Sequence, residues 1–376
     1  MNKNSVTETR KKEHISICLE KSIESDTKTG FNDLFFVHKA LPEANMSDID
    51  TACSFLGKKI KAPILIEAIT GGTKEAEKIN KNLAAAAEEL GLAMGVGSQR
   101  AAITDKKLQE TYNVRSCAPT IPLIGNLGAV QFSKGEYTIK DAKEAIKYIN
   151  ADALAIHLNA LQEAAQPEGD LDFKNARNSI KKICADLGKP VIVKETGAGI
   201  SREIALMLEK SGVAIIDVAG LGGTSFSIVE SYRDKDKPAI GNTFKNWGIP
   251  TTISIVETRK TTKLPIIASG GIRTGTDAAK AICLGADYAG LALPLLDAAT
   301  KSKKDVKKVL ERIIKELKIA MFLIGAKNID ELKKKDIVIT GKTREWLLER
   351  GIDTKEYANR ETLELLRTTV KSAMYR

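Results

Sequence analysis

The chain has 376 residues, and 58 Lys or Arg against 48 Asp or Glu give it a formal net charge of +10 at pH 7. An excess of basic residues makes nucleic-acid binding a function to consider. However, the lysines are mixed with glutamates along stretches such as 303–318, and aromatic residues that could stack on bases make up only 5%. We therefore expect no nucleic-acid partner, and interpret the charge as a solvated surface whose positive field attracts anionic substrates.

The five cysteines are scattered and form no Cys-x-x-Cys pair. This pattern argues against a zinc or disulfide framework and predicts reduced thiols in a cytoplasmic protein. The N-terminus is polar, and no run of residues is apolar and long enough to cross a bilayer, so we expect no membrane association.

Short apolar segments that each end in a small or polar residue recur eight times, and helix-like stretches lie between most of them. The predicted strands are Ile60–Thr70, Ala93–Gln99, Pro122–Gly128, Ala153–Asn159, Pro190–Gly197, Ala214–Gly223, Pro265–Gly271 and Tyr288–Pro294. The clearest predicted helices are Thr73–Leu90, Thr138–Tyr148, Phe173–Leu187, Ser201–Ser211 and Thr276–Leu284, several of them stopped by Gly91, Gly188, Gly212 or Gly285. This alternation predicts a (β/α)8 TIM barrel, for which a doubly wound open sheet is the alternative.

The chain is longer than the roughly 250 residues of a typical barrel of this kind. We expect one domain over 1–376, made of an N-terminal extension (1–59), the barrel (60–325) and a C-terminal tail that is helical in parts (326–376). A long segment, Thr224–Gly248, follows the sixth strand and could form a lid.

The first three predicted strands end in residues that could face the barrel mouth. Thr70–Gly72 would let a ligand approach the backbone, or simply form a turn. Alternation puts Ser98 and Arg100 on one face as an anion grip, unless the arginine points outward from a capped turn. The amide of Asn126 matches a planar heterocycle, or forms a turn.

The fourth strand places His157 and Asn159 on one face, and Gln162 and Glu163 follow at once. A hydrogen-bonded polar core layer is the alternative to a functional site, although the chain has only three histidines. Glu163 could hold Mg²⁺, since magnesium sites usually use one or two carboxylates together with substrate phosphate.

Lys194 ends the apolar, β-branched run Pro190–Val193. An ammonium at the end of a buried strand loses water, which would cost several kcal/mol or its proton. The chain must therefore supply a fixed negative partner there, or bind one.

Glycine-rich loops follow the seventh and eighth strands, and a helix is predicted to start near Thr276. In TIM barrels such loops beside a helix N-terminus form a phosphate site. The layout suggests FMN, with its phosphate at these loops and its ring across strands one to three. Lys194 would then meet the N1/C2 edge, which is negative in the reduced flavin.

Motifs along almost the whole chain resemble those of type 2 isopentenyl-diphosphate isomerases, the FMN-dependent family. They are Arg10-Lys11-x-x-His14, Thr70-Gly71-Gly72, Gly97-Ser98-Gln99-Arg100, Gly125-Asn126-Leu127-Gly128, His157-Leu158-Asn159-x-x-Gln162-Glu163, Gln166-Pro167-Glu168-Gly169, Lys194-Glu195, Gly222-Gly223-Thr224, Trp247-Gly248-Ile249-Pro250-Thr251 and Ser269-Gly270-Gly271-Ile272-Arg273. The first and fifth are specific, and several others are generic to flavin barrels. Ala219 departs from the serine usual in the family, and could weaken FMN retention; Ile69 replaces a common methionine at little cost.

The resemblance implies interconversion of isopentenyl and dimethylallyl diphosphate by a 1,3-proton shift, with reduced FMN, Mg²⁺ and NADPH as reductant, in a homo-oligomer (tetramer or octamer). It implies that FMN is bound by Ile69, Thr70, Gly71, Gly72, Ser98, Asn126, Lys194, Thr224, Gly270, Gly271, Ile272, Arg273, Ala292 and Leu293. It implies that substrate is bound by Arg10, Lys11, His14, Ser98, Gln99, Arg100, His157, Asn159 and Gln162, and Mg²⁺ by Glu163. The expected catalytic residues are Gln162, His157 and Lys194.

Few side chains in this inventory could serve as acid and base. We therefore hypothesise that reduced FMN supplies general acid/base catalysis, with Gln162 orienting the alkene or relaying the proton. Arg10, Lys11 and His14 would otherwise be interpreted as a solvated arm, and must fold over a barrel mouth, their own or a neighbour's, to reach substrate.

Other flavin and nucleotide barrels fit the sequence less well. A 2-hydroxy-acid oxidase needs a histidine base near the sixth or seventh strand end, and the chain has no histidine after His157. A dehydrogenase of the inosinate type needs a nucleophilic cysteine in the loop after strand six, where Gly222–Phe226 has none.

Overall fold

The computed structural model describes residues 3–234 and 238–362, with the backbone alone for 3–8 and 238. The strands in these ranges are β1 (Leu34–Phe36), β2 (Cys53–Phe55), β3 (Lys58–Ile60), β4 (Ile64–Ile66), β5 (Ala93–Gly95), β6 (Leu123–Gly128), β7 (Ala153–His157), β8 (Val191–Lys194), β9 (Ile215–Asp217), β10 (Ile266–Ala268), β11 (Tyr288–Leu291) and β12 (Ile337–Ile339). The α-helices are α1 (Lys3–Glu20), α2 (Lys74–Leu90), α3 (Arg100–Thr104), α4 (Ala129–Ser133), α5 (Ile139–Ile149), α6 (Ala160–Ala165), α7 (Ala176–Asp186), α8 (Arg202–Glu209), α9 (Phe226–Arg233), α10 (Pro238–Thr243), α11 (Thr251–Thr261), α12 (Gly275–Leu284), α13 (Leu293–Lys301), α14 (Lys303–Leu323), α15 (Ile329–Leu332), α16 (Gly341–Glu349) and α17 (Lys355–Ala358).

Strands β4 to β11 form a closed, all-parallel barrel of eight strands. Closure occurs between the last and the first of them, where Leu291 of β11 is paired with Ile66 of β4. The predicted (β/α)8 barrel is thus confirmed, and the open-sheet alternative is excluded. Because each strand is covered by helices outside and by side chains within, its residues are almost all buried, which explains the continuous apolar runs.

The five clearest predicted helices correspond to α2, α5, α7, α8 and α12, with boundaries within three residues. The glycines expected to end helices all adopt positive φ, from 62° at Gly91 to 123° at Gly285. The predicted first strand began too early, since Ile60 belongs to β3, and only Ile64–Ile66 is barrel strand. The sequence hid this boundary because Ile60, the last residue of β3, lies only four residues before the apolar strand β4.

The hairpin of β2 and β3 closes the N-terminal end of the barrel. Phe55 and Ile60 are fully buried there among residues of the barrel interior, and the Phe55 ring contacts that of Tyr288 edge to face at 4.8 Å between centroids. With this end blocked, the C-terminal ends of the strands form the open mouth.

The remaining segments lie around this mouth or beside the barrel. The extension contributes α1, and the segment after β9 contains α9 and α10. The tail pairs its strand β12 antiparallel with β1, Leu34 facing Ile339, which the sequence did not predict. The predicted tail helices correspond to α15, α16 and α17 up to residue 362, and the rest of the tail lies outside the described residues. Among the described helices, none combines the length and apolar composition needed to cross a bilayer.

Candidate active site

A cavity of about 230 Å³ lies at the C-terminal ends of the barrel strands, covered on one side by α1 and α9. One water takes about 30 Å³, so the space suits a small molecule. The predicted site residues that line it are Arg10, Lys11, His14, Ile69, Ser98, Arg100, Asn126, His157, Asn159, Gln162, Glu163, Lys194, Thr224, Gly270, Gly271, Ile272, Arg273, Ala292 and Leu293. The structure thus brings together residues from every part of the chain up to β11.

Four predicted residues do not line the cavity. Gln99 is fully buried, where its Oε1 accepts from the Asn126 N–H at 2.9 Å and its Nε2 donates to the Ala145 carbonyl at 2.8 Å. It can therefore position Asn126 but does not reach a substrate. Gly71 and Gly72 make room for neighbouring side chains rather than for a ligand, because a Cβ on Gly71 would lie 1.9 Å from the Tyr112 ring. Thr70 is buried beside them, and its Oγ1 has no hydrogen-bond partner among the described residues.

Helix α1 carries Arg10, Lys11 and His14 over the mouth of its own barrel, so the expectation of a solvated arm does not hold. Lys11 has no ion-pair partner within the described ranges, and burial together with the charges of Arg10 and Arg100 lowers its pKa to about 7. Arg10 makes only a long ion pair, in which its guanidinium is 4.0 Å from the Glu168 carboxylate. Three cationic groups therefore face one region of the cavity with little neutralisation, as an anion site requires.

Glu230, on α9, was not singled out by the sequence and holds α1 in place. Its carboxylate is fully buried and accepts from His14 Nε2 at 3.0 Å, Gln162 Nε2 at 3.0 Å and an Arg233 guanidinium nitrogen at 2.5 Å. Burial opposes its ionisation, but these donors outweigh it and lower the pKa of Glu230 to about 2. Because a carboxylate only accepts, it turns the Gln162 amide so that the carbonyl oxygen is left for a ligand. Charged residues on a helix are so common that no sequence signal marks this one.

His157 is a neutral residue in this environment. Burial and the charge of Lys194 lower its pKa to about 3. Its Nδ1 is 2.8 Å from Asn126 Oδ1, an acceptor, so Nδ1 donates and Nε2 keeps its lone pair. The same hydrogen bond fixes the orientation of the Asn126 amide, whose NH2 group remains available.

Glu163 stands apart from other metal-binding side chains, and no group of three His, Cys, Asp or Glu side chains suited to a metal occurs in the described part of the chain. Its Oε1 accepts from Asn159 Nδ2 at 3.0 Å, and its Oε2 from the Asp170 N–H at 2.8 Å. The Oδ1 atom of Asn159 is buried and has no hydrogen-bond partner in the part of the chain that the structure describes. A carboxylate beside an unsatisfied amide oxygen suits Mg²⁺ that takes its other ligands from substrate and water.

The lysine at the end of β8 is not alone, and the first alternative for it is correct: the chain supplies negative partners. Lys194 Nζ is 3.4 Å from Asp217 Oδ2 and 3.7 Å from Glu67 Oε2. Burial alone would lower the pKa of Lys194, but the carboxylates of Asp217, Glu67 and Glu195 raise it. Glu67 was not predicted from the sequence, although it follows β4 directly and breaks an apolar run as Lys194 does.

The predicted phosphate site used the helix that starts near Thr276, which is α12, but the structure favours a different helix. At α12 the Gly275 N–H donates to Glu316 at 2.7 Å and the Asp277 N–H to Thr274 Oγ1 at 3.1 Å, so these amides are already used. By contrast, the N–H groups of Gly270 and Gly271 have no acceptor among the described residues, and α13 begins at the cavity. A Cβ on Gly270 would lie 2.1 Å from the Gly220 carbonyl oxygen. The geometry therefore offers the glycine loop and α13, not α12, to a phosphate.

Comparison with known proteins indicates the family of the chain. A family model for FMN-dependent dehydrogenases matches residues 156–339. The chain is 50% identical over 352 residues to an isopentenyl-diphosphate delta-isomerase of Methanothermobacter thermautotrophicus, covering 93% of this chain and 99% of that one. It is 48% identical to an enzyme of the same name from Pyrococcus furiosus, covering 96% and 93%.

Solved structures share the fold at much lower identity. A mandelate oxidase matches with a TM-score of 0.62 at 16% identity, covering 88% of this chain and 96% of that one. A flavocytochrome b2 variant matches with a TM-score of 0.65 at 20% identity, covering 91% and 85%.

Proposed function

The chain belongs to the FMN-dependent, type 2 family of isopentenyl-diphosphate delta-isomerases, and we propose that it interconverts isopentenyl diphosphate and dimethylallyl diphosphate by a 1,3-proton shift. One observation carries the proposal: two sets of groups that suit anions line a single cavity. Gly270 and Gly271, next to α13, suit a cofactor phosphate. Arg10, Lys11 and Arg100, on the other side, suit a substrate diphosphate.

The residues present fit FMN. The N–H groups of Gly270 and Gly271, which have no acceptor among the described residues, would donate to the phosphate. The amide NH2 of Asn126 and the ammonium of Lys194 would face polar edges of the ring. Reduced FMN, when bound, would supply an electron-rich ring that exchanges a proton with the alkene and stabilises positive charge on the reacting carbons. NADPH is the proposed reductant.

The chain's own residues bind and orient the substrate. Arg10, Lys11 and Arg100 would neutralise the diphosphate, and Glu163 with Asn159 would hold an Mg²⁺ ion that adds to this neutralisation. Gln162, held through its NH2 group by Glu230, presents its carbonyl oxygen to the reacting part of the substrate. It would orient the alkene or relay the proton there, while neutral His157 holds the Asn126 amide in its orientation.

The test is an anaerobic assay of isopentenyl diphosphate with FMN, NADPH and Mg²⁺, repeated without each. We expect turnover only with reduced flavin and Mg²⁺, none with bound, reduced 5-deazaflavin, and a Glu163→Gln variant that needs much more Mg²⁺. Full activity with 5-deazaflavin would exclude proton exchange at flavin N5, and a colourless protein that binds no FMN would refute the cofactor.

Two further proposals concern the whole molecule. We propose a homo-oligomer, a tetramer or octamer, which sedimentation analysis would test. We also propose a cytoplasmic location, because scattered cysteines without disulfide spacing suit a reducing compartment. A 2-hydroxy-acid oxidase, despite the shared fold, is disfavoured because the histidines of the chain are confined to positions 14, 38 and 157.

A further inference from the structure

Two carboxyl groups and one ammonium lie together at the floor of the cavity, inside the barrel, where Glu67 and Lys194 line the cavity and Asp217 lies behind them. Glu67 follows β4, Lys194 ends β8 and Asp217 ends β9. Besides its contact with Lys194, Asp217 accepts hydrogen bonds through Oδ1 from Ser269 Oγ at 2.6 Å and from the Ala219 N–H at 3.2 Å. With both carboxyl groups ionised, this buried trio would carry one uncompensated negative charge, which costs several kcal/mol in a protein interior.

Glu67 is the less well satisfied of the two carboxyl groups. Its Oε1 is buried and has no hydrogen-bond partner in the described residues. It occupies space that only a glycine leaves open, since a Cβ on Gly290 would lie 2.4 Å from it. A second hollow, of about 10 Å³, is lined by Glu67, Lys194 and Asp217, and is at the lower limit for one water. A bare oxygen costs far less on a neutral carboxyl group than on an ionised one.

We propose that Glu67 and Asp217 share one proton, held on Glu67, and that this carboxyl pair sets the charge that Lys194 presents to the flavin, an inference that rests on the FMN assignment above. Glu67 is then a positioning residue that acts through Lys194. In support, burial and the charge of Asp217 raise the pKa of Glu67 to about 8, while Lys194 opposes the rise. Among the described residues, Lys194 on β8 and Asp217 on β9 are the charged groups that act on Glu67, and β10 and β11 contribute the uncharged Ser269 and Gly290. Glu195 acts on Lys194 as well: burial raises its pKa to about 7, and its Oε2 accepts from the N–H groups of Thr196, Gly197 and Ala198. Its contribution to a pH dependence is common to wild type and Glu67→Gln.

The proton on Glu67 should respond to the charge of the ring. Two-electron reduction of bound FMN by dithionite, with uptake of one proton at the ring, leaves the ring with one negative charge. That charge, next to Lys194, increases the proton affinity of Glu67. Between the pKa of Glu67 in the oxidised protein and its higher value in the reduced protein, reduction therefore takes up two protons, one at the ring and one at Glu67. At lower or higher pH it takes up one.

The experiment measures the midpoint potential of the FMN-loaded protein against pH, for wild type, Glu67→Gln and, as a control, Glu77→Gln at the outer surface of α2. One proton per two electrons corresponds to about 30 mV per pH unit. For wild type and Glu77→Gln, we expect the midpoint potential to change twice as steeply with pH over a window that starts near pH 8. For Glu67→Gln, we expect it to keep the slope of one proton. Equal slopes in wild type and Glu67→Gln would overturn the inference.

A second measurement does not depend on the variant folding. The reduced-minus-oxidised infrared spectrum of wild type near neutral pH should show a shifted band of a protonated carboxyl group, and Glu67→Gln, where it folds, should lack it. A wild type without such a band overturns the inference. Failure of the proposed function and failure of this inference give different results. A protein that binds no FMN refutes the proposed function. A protein that binds FMN but whose midpoint potential has the single slope at every pH refutes only the shared proton.

Discussion

Replacing Arg233 with methionine tests whether α1 is held over the mouth by charge. Arg233 is the donor that joins three elements: it contacts Glu230 on its own helix at 2.5 Å, Glu168 after α6 at 2.7 Å and Glu13 of α1 at 2.9 Å. The arginine side chain is 8% exposed, and Glu230 is 0% exposed. Methionine keeps the apolar stem but removes every donor.

The expected loss follows from burial. Glu13 and Glu168 are 45% and 31% exposed, so water screens their pairs, which contribute at most about 1 kcal/mol each. Removing one partner of a buried pair costs about 3–5 kcal/mol. Since the Glu230 carboxylate keeps its hydrogen bonds from His14 and Gln162, we expect the free energy of unfolding to fall by about 3 kcal/mol. Among these contacts only the Glu13 pair reaches α1, so at most about 1 kcal/mol of this loss falls on the docking of α1. Because about 1.4 kcal/mol corresponds to a factor of ten, KM for isopentenyl diphosphate should rise by up to about fivefold.

The assays are chemical denaturation, KM for isopentenyl diphosphate and limited trypsin cleavage after Lys11 or Lys12, mapped by mass spectrometry. Arg312→Met is the matched control, because Arg312 is 61% exposed and 3.7 Å from its partner Glu316. The control should change stability by less than about 0.5 kcal/mol. An Arg233→Met protein with unchanged stability, KM and cleavage would refute the view that this network holds α1.

Two further predictions follow from the glycine loop and from Glu230. Gly271→Ala should unfold more easily and lose FMN, because a Cβ would lie 2.3 Å from Thr29 Cγ2 and 2.8 Å from the Gly222 carbonyl oxygen at a φ of 72°. Gly135→Ala has a similar φ of 76° with nothing within 4 Å, so it should cost only about 1 kcal/mol of backbone strain; denaturation and FMN titration compare the two, and equal losses would contradict the close-approach argument. The pKa of Glu230 is lowered on folding, so its contribution is fully present above the unfolded value near 4.5 and is lost as pH falls toward 2. The gap in unfolding free energy between wild type and Glu230→Gln should therefore shrink by on the order of 3 kcal/mol over that range, and a pH-independent gap would count against the lowered pKa.

Within the site, residues that lie close together in the sequence were predicted correctly to line the cavity, whereas placements that depend on distant residues were not predicted. Asn159, Gln162 and Glu163 were predicted from one run of residues, and they line the cavity together because the end of β7 and the helix α6 that follows it at once form one local unit. Gln99 lies in an equally recognisable motif, but its side chain turns away to bind Asn126 and Ala145. The direction of a side chain in a short bend depends on the residues that pack behind the bend. A sequence motif does not contain that information.

The sequence by itself determined the repeating strand–helix units, the helix stops and the positions of polar residues at strand ends, because these depend on periodicity and backbone preferences over a few neighbouring residues. Only the tertiary structure decided that Glu67 and Asp217 accompany Lys194, that α1 covers its own barrel and that Glu230 joins α1 to Gln162. Each of these contacts links residues far apart in the chain, and burial then turns the contact into a shifted proton affinity. Solvent exclusion is a property of the closed barrel, so the charge state of its floor arises only when all eight strands are in place.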